Sequence, residues 1–422
     1  MRLCIFISLS CHDPNVDHTG NLPVLNSQNG FNGRIFSSRE CLAITKELVK
    51  NSVKIHETDI QSMRLKGVRK RPLYTKEQMW DMFDKMEAIP QEEVIELDEQ
   101  VSVRLYKNGH VFGANSIMLF IKDADTKRVH TLFYTGDMPC EATKEFHPYT
   151  TDFNYPKKAD IVISEATYSD KNRTLTRRDA IKEREELKKL IITNLNKSEK
   201  SQIGCFTFSF GRTQEFITWL YDEFKDNPFF DVIIDGVLVN AINNVYLREL
   251  QGEDLKKFKE VMAWSCLKVN SDIKGTQAIL SHKTKRIVIT SSGFLTGGRA
   301  TIYLPTITEC SNDTILLLGY SGGQDSLANV IYRTPIDKPV KMFNRTILRK
   351  ADMAMMRTWS SHKPYNELME FFNDIHTSKI IIHHCDEENK QSFCNEANDY
   401  LRERNKTTKV IPVTKGSFEF IF

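Results

Sequence analysis

A chain of 422 residues with 40 % hydrophobic and 27 % charged side chains can bury a substantial core and exceeds one average domain. Its formal net charge of +3 excludes a global polyanion-binding field, so any nucleic-acid site must be a local basic groove. Nine cysteines without regular short spacing exclude a disulfide framework and fit a reducing compartment.

In chain order, Met1–Leu9 reads as a buried strand, because its apolar run is brief and no small-residue cleavage site follows. No apolar run is long enough to span a bilayer, so the expected location is cytoplasmic, or nuclear in a eukaryote. Helical periodicity predicts helices over Ser38–Val49, Lys76–Met86, Arg178–Asn194, Thr213–Phe224 and Pro364–Asn373. Short apolar runs predict strands over Val101–Leu105, Ser116–Ile121, Thr131–Tyr134, Ile161–Ser164, Val232–Ile234, Ile287–Thr290, Thr314–Leu318 and Lys379–His383. The alternation argues for layered α/β architecture. Polar residues 170–176 and the two-proline stretch 334–339 predict boundaries, giving segments 1–172, 173–338 and 339–422, with the middle one inserted in the others.

Four segments place Asp or His just after an apolar strand: Asp13 to His18, Asn108-Gly109-His110, Thr135-Gly136-Asp137, and His383-His384-Cys385-Asp386. Imidazole and carboxylate on strand ends suit zinc-like ions, which acidify water to near neutral pH. Each segment taken singly is also an ordinary turn. Spacing alone therefore leaves an α/β protein with candidate metal ligands.

The order of these segments carries a family resemblance. Asp17-His18-Thr19-Gly20-Asn21, Val103 to Ala114 around His110, Phe133 to Asp137, Ile161 to Tyr168 around Glu165, Phe206 to Glu215, Ser291 to Arg299, Gly319 to Gln324, Trp359-Ser360-Ser361-His362 and His384-Cys385-Asp386 follow one another as the motifs of the β-CASP metallo-β-lactamases do. The chain resembles the RNA-processing branch of that family, which carries a histidine at the position of His384. The resemblance implies an αββα sandwich, without its first strands, interrupted by a β-CASP unit, with single-stranded RNA held in the cleft between them.

It further implies metal-dependent RNA phosphodiester hydrolysis. Asp17, His18, Asp137 and His384 would hold one zinc ion, and His110 with the shared Asp137 would hold a less complete second. Glu165 and His362 would handle protons together with Asp17, and Arg212 and Arg299 would meet phosphates. The two first-motif histidines are replaced by Asp13 and Asn15, with His12 one residue early, and Lys363 stands where the family has an aspartate. These departures define the alternative reading, a non-catalytic homologue that binds RNA or scaffolds an active nuclease. A homodimer or partner subunit stays open. The basic run Lys66, Arg69, Lys70 and Arg71 reads as a solvated face or as a phosphate contact.

Overall fold

Strand alternation organises the first of two compact units. Leu132 and Tyr134 pack into one buried cluster with Val103, Leu105, Ile117 and Leu119, while Phe133 between them joins Met118, Val162, Ile380 and Ile382 in another. A period of two sends successive side chains to opposite faces, so both faces of this sheet are buried. The computed structural model describes residues 16–28, 30–319 and 322–413. The first unit gathers the chain up to Glu141, Tyr149–Leu175 and the chain from Ser361 onward.

Among the described residues its sheet has seven strands, in the order Lys409–Pro412, Lys379–His383, Ile161–Glu165, Val129–Tyr134, Asn115–Lys122, Val101–Lys107 and Val94–Glu96. The first four run parallel and the remaining pairings are antiparallel. Helices Tyr365–Asp374 and Glu387–Arg402 cover one face through Leu368, Phe372, Phe393 and Ala397. A separate parallel pair, Ile35–Ser37 with Met86–Ala88, is the other described sheet of this unit. The strand expected over Met1–Leu9 lies outside the described residues.

One helix is longer than its periodicity predicts. Apolar spacing ends near Val49, yet the helix runs Arg39–Leu65, 27 residues. Ser38 caps it by accepting from the Cys41 amide, and Gly67, at φ +79°, turns the chain after it. Residues beyond Val53 are solvated, which is why the hydrophobic pattern misses them.

The second unit comprises Ala142–Pro148 and Thr176–Ser360. Its six-stranded sheet is wholly parallel, in the order Leu267–Asn270, Asp231–Asp235, Arg286–Thr290, Gln202–Phe206, Thr314–Leu318 and Asp352–Met356. Its three central strands are buried at every residue, the pattern of a sheet covered on both faces. This unit runs past the proline-rich stretch where its end was expected. Val340, Met342, Ile347 and Ala351 pack with Phe206, Val288 and Ile315, and Asp352–Met356 pairs with Thr314–Leu318. The longer segment of this unit starts at Thr176, and Pro335 and Pro339 lie inside it. Among the described residues no helix is long and apolar enough to cross a membrane.

Candidate metal centre

Pairing in the first sheet decides which loops meet. Val101–Lys107 is two antiparallel steps from Val129–Tyr134 and therefore parallel to it, and Ile161–Glu165 and Lys379–His383 run the same way. Their carboxyl ends lie along one sheet edge, the usual place for a site in open α/β sheets. The loops leaving that edge carry His110, Asp137, Thr167 and His384.

Local chemistry fixes each loop. The Asn108 amide donates to Ser116 Oγ at 2.9 Å and to the Thr135 carbonyl at 2.8 Å, while its oxygen accepts from the His110 amide at 2.9 Å. Gly109 sits at φ +82°, and a Cβ there would lie 2.2 Å from the Thr151 carbonyl oxygen, so only glycine fits. His384 also adopts a left-handed backbone, φ +50°, a conformation that costs energy and clusters at functional sites.

Asp137 is the centre of the arrangement. It is 3 % exposed, and its Oδ2 lies 3.0 Å from His18 Nε2, 3.8 Å from His110 Nε2 and 4.0 Å from His362 Nε2. Its Oδ1 lies 3.1 Å from His384 Nδ1, yet accepts no well-aligned hydrogen bond. Two groups of potential ligand atoms result, His18–Asp137–His384 and His110–Asp137–His362, each with its atoms within 4.8 Å of one another. A buried carboxylate oxygen facing an imidazole nitrogen without hydrogen-bond alignment is what two ligands of one cation look like. The donor set of imidazole nitrogen and carboxylate oxygen fits a divalent transition metal.

The electrostatics agree with that geometry. Burial would raise the Asp137 carboxyl, but the hydrogen bond with His18 and the imidazoles of His384 and His362 beside it hold it well below the carboxylate range. Burial opposes a charged His384, yet Asp137 outweighs it and holds the imidazole up at about 9. Burial and the neighbouring His384 push His383 down to about 4, so it is neutral at neutral pH. Tyr134 Oη lies 2.7 Å from His383 Nε2 and braces it at the end of its strand.

His362 faces two ways. Its Nδ1 lies 3.1 Å from Glu165 Oε2, while its Nε2 belongs to the group with His110 and Asp137. Burial works against its charged form, but Glu165 and then Asp137 raise its pKa overall. Glu165, 1 % exposed, also accepts from the Met138 amide and the Thr167 hydroxyl. Two residues that motif reading passes over join in: Thr167 Oγ1 lies 3.1 Å from His384 Nδ1, and Ser361 Oγ 3.2 Å from His110 Nδ1. Each stands within two residues of a singled-out residue, a signal that adjacency could have supplied.

Asp17 lies on the short helix Val16–Thr19 with His18, but its side chain is outside the described set. Asp13, Asn15 and His12 lie outside the described residues. Arg212 and Arg299 belong to the second unit, where each has a carboxylate partner. Arg212 pairs with the buried Glu215 beside His147, and Arg299 Nε lies 3.4 Å from Asp235 Oδ1.

The β-CASP domain pattern matches residues 213–330, within the second unit. The chain is 24 % identical over 381 residues to the endoribonuclease ysh1 of Schizosaccharomyces pombe, covering 89 % of this chain and 46 % of that protein. It is 23 % identical to the transcription termination factor FttA of Pyrococcus abyssi, over 84 % of this chain and 53 % of that one. An RNase J-like protein of Methanocaldococcus jannaschii is 23 % identical over 76 % of this chain and 72 % of its own length. The chain spans about half the length of the first two. Residues 213–330 thus carry a β-CASP domain match, and the chain around them is similar over most of its length to these proteins.

Proposed function

We propose that the protein is a zinc-dependent hydrolase of phosphodiester bonds in single-stranded RNA. The observation that carries this reading is Asp137, a buried carboxylate shared by two histidine groups and left with one oxygen unsatisfied. The names of the relatives, an endoribonuclease and an RNase J-like protein among them, support RNA as the substrate.

In this reading His18, Asp137 and His384 hold one ion, with Asp17 as a further ligand, and His110 with the shared Asp137 lines a second position, beside which His362 stays free to carry a proton. A bound zinc ion supplies Lewis acidity toward a phosphate oxygen and lowers the pKa of water to about 7. The chain's own residues do the rest. Glu165 keeps a proton on His362 Nδ1 and favours the imidazolium, so Nε2 can deliver a proton to the leaving oxygen. Thr167 bridges Glu165 and His384, tying the proton-handling pair to a ligand and fixing both rotamers. Ser361 does the same for His110.

The test is metal content together with cleavage of a labelled single-stranded RNA, using protein purified without chelators. At least one zinc per chain is expected, with cleavage lost on chelation and restored by zinc. A folded, metal-free protein that binds the RNA without cutting it would overturn the proposal and leave an RNA-binding homologue.

The proton-handling pair has its own signature. Glu165→Gln keeps the size of the side chain but removes the charge that holds the His362 proton. The turnover number should fall by roughly 10²- to 10⁴-fold with the metal retained. The limb of the pH–rate profile reporting the acid should move to lower pH, since the carboxylate raises the His362 pKa. A profile identical to that of the parent protein would remove Glu165 from proton transfer.

A further inference from the structure

The long helix of the first unit begins beside the loop that carries His110, and its last three turns are largely exposed. Ser38, its cap, donates to the carbonyl of Gly113 at 3.2 Å, in the loop that carries His110. Twenty-seven residues at ~1.5 Å each carry the helix about 40 Å from that anchor. Its buried positions stop at Val53, and none of residues 54–71 is buried.

The far end is strongly basic. Arg64, Lys66, Arg69, Lys70 and Arg71 place five cationic side chains within eight residues, and no acidic residue stands between Asp59 and Glu77. All five residues are exposed, and none forms an ion pair with a described carboxylate. Other lysines of the same region are paired: Lys50 with Glu47 at 2.8 Å, and Lys85 with Asp81 at 3.0 Å. Residues 68–72 form no regular structure, so these side chains are free to track an irregular polyanion. Like charges this dense repel one another, and a bound polyanion relieves that repulsion.

We propose that this basic segment docks the phosphate backbone of single-stranded RNA, outside the metal centre at which the bond is cleaved. The proposal rests on the RNA-hydrolase reading above. No aromatic residue lies between Ile60 and Leu73, so the tip has nothing on which bases can stack. Its contacts are therefore sequence-independent and electrostatic: they hold a long substrate without choosing where it is cut.

The experiment compares the parent chain with the triple variant Arg69→Gln, Lys70→Gln and Arg71→Gln. Binding of a 2′-O-methyl RNA 30-mer and of a 5-mer is measured by fluorescence anisotropy over a salt series, alongside cleavage of the matching unmodified RNAs. Losing three phosphate contacts should reduce the slope of log affinity against log salt for the 30-mer by about 2, at ~0.7 per contact, and weaken its binding by roughly tenfold or more. Binding and cleavage of the 5-mer should not change. Equal slopes for the two proteins overturn the proposal. So does a variant that binds the 30-mer normally but, as a fluorescent fusion, no longer enters the nucleus: the segment would then be a transport signal read by an acidic protein groove. A parent chain that neither binds nor cuts any RNA overturns the hydrolase reading and this proposal together, whereas a parent that cuts both RNAs with unchanged slopes in the variant removes only this one.

Discussion

Asp137→Asn is expected to purify folded, to lose most of its bound metal, and to hydrolyse RNA at least about 10³-fold more slowly, equivalent to about 4 kcal/mol of transition-state stabilisation. The size of the effect follows from sharing. A ligand that serves one ion weakens one site, but both groups of potential ligands contain Asp137. The amide is isosteric, so the packing of this 3 % exposed side chain survives. What goes is the charge. His18 and His384 would face a neutral group, and the carboxylate that holds His384 up at about 9 would be gone, so its pKa should drop. Metal analysis by mass spectrometry, circular dichroism and single-turnover cleavage separate the cases. Loss of activity with loss of fold would make Asp137 structural. Undiminished cleavage by a folded variant would sink the scheme.

How much of this was legible in the sequence depends on the range of the interaction involved. Asp137, Glu165 and His384 follow runs such as Leu132–Tyr134 and Ile380–Ile382, whose apolar character announces buried strands, and the residue after a strand end is readable. Their convergence on one edge depends on parallel pairing between strands more than 200 residues apart, as between Ile161–Glu165 and Lys379–His383, which no local pattern encodes. The second ligand group shows the same limit. The motif order makes His362 a proton carrier only, but through space its Nε2 also faces Asp137 beside His110. The sheet of the second unit shows the same limit: Pro335 and Pro339 read as a linker, and the pairing of Asp352–Met356 with Thr314–Leu318 beyond them is non-local. The helix Arg39–Leu65 has no hydrophobic period beyond Val53 to reveal it, because none of its later residues is buried.

Arg212, singled out by its motif, also has a structural partner, and this leads to the second large effect. Beside glycine in a loop, it reads as a phosphate contact, yet its guanidinium pairs with Glu215 three residues on. Glu215 is 2 % exposed and lies 3.1 Å from His147 Nδ1. Burial pushes His147 down, so at neutral pH it is a neutral partner and Arg212 supplies the countercharge. Burial alone would raise the Glu215 carboxyl, but Arg212 and then His147 bring it down to about 2 from an ordinary 4.5. A depressed carboxylate stabilises the fold at pH values above its unfolded pKa, and that contribution is lost as pH falls from about 4.5 toward 2. Removing the carboxylate leaves Arg212 desolvated without its partner, which for buried pairs costs about 3–5 kcal/mol. Glu215→Ala should therefore be destabilised by that amount at pH 7, and its stability should be flatter than the parent's between about pH 4.5 and 2. Glu253→Ala, at a carboxylate 90 % exposed, should change stability by less than about 0.5 kcal/mol. Urea denaturation followed by tryptophan fluorescence suits the measurement, because Trp219, Trp264 and Trp359 all lie in the second unit and only Trp80 lies in the first. If Glu215→Ala unfolds at the same urea concentration as the parent, the ion pair contributes nothing net and Arg212 is released for the phosphate role that its motif first suggested.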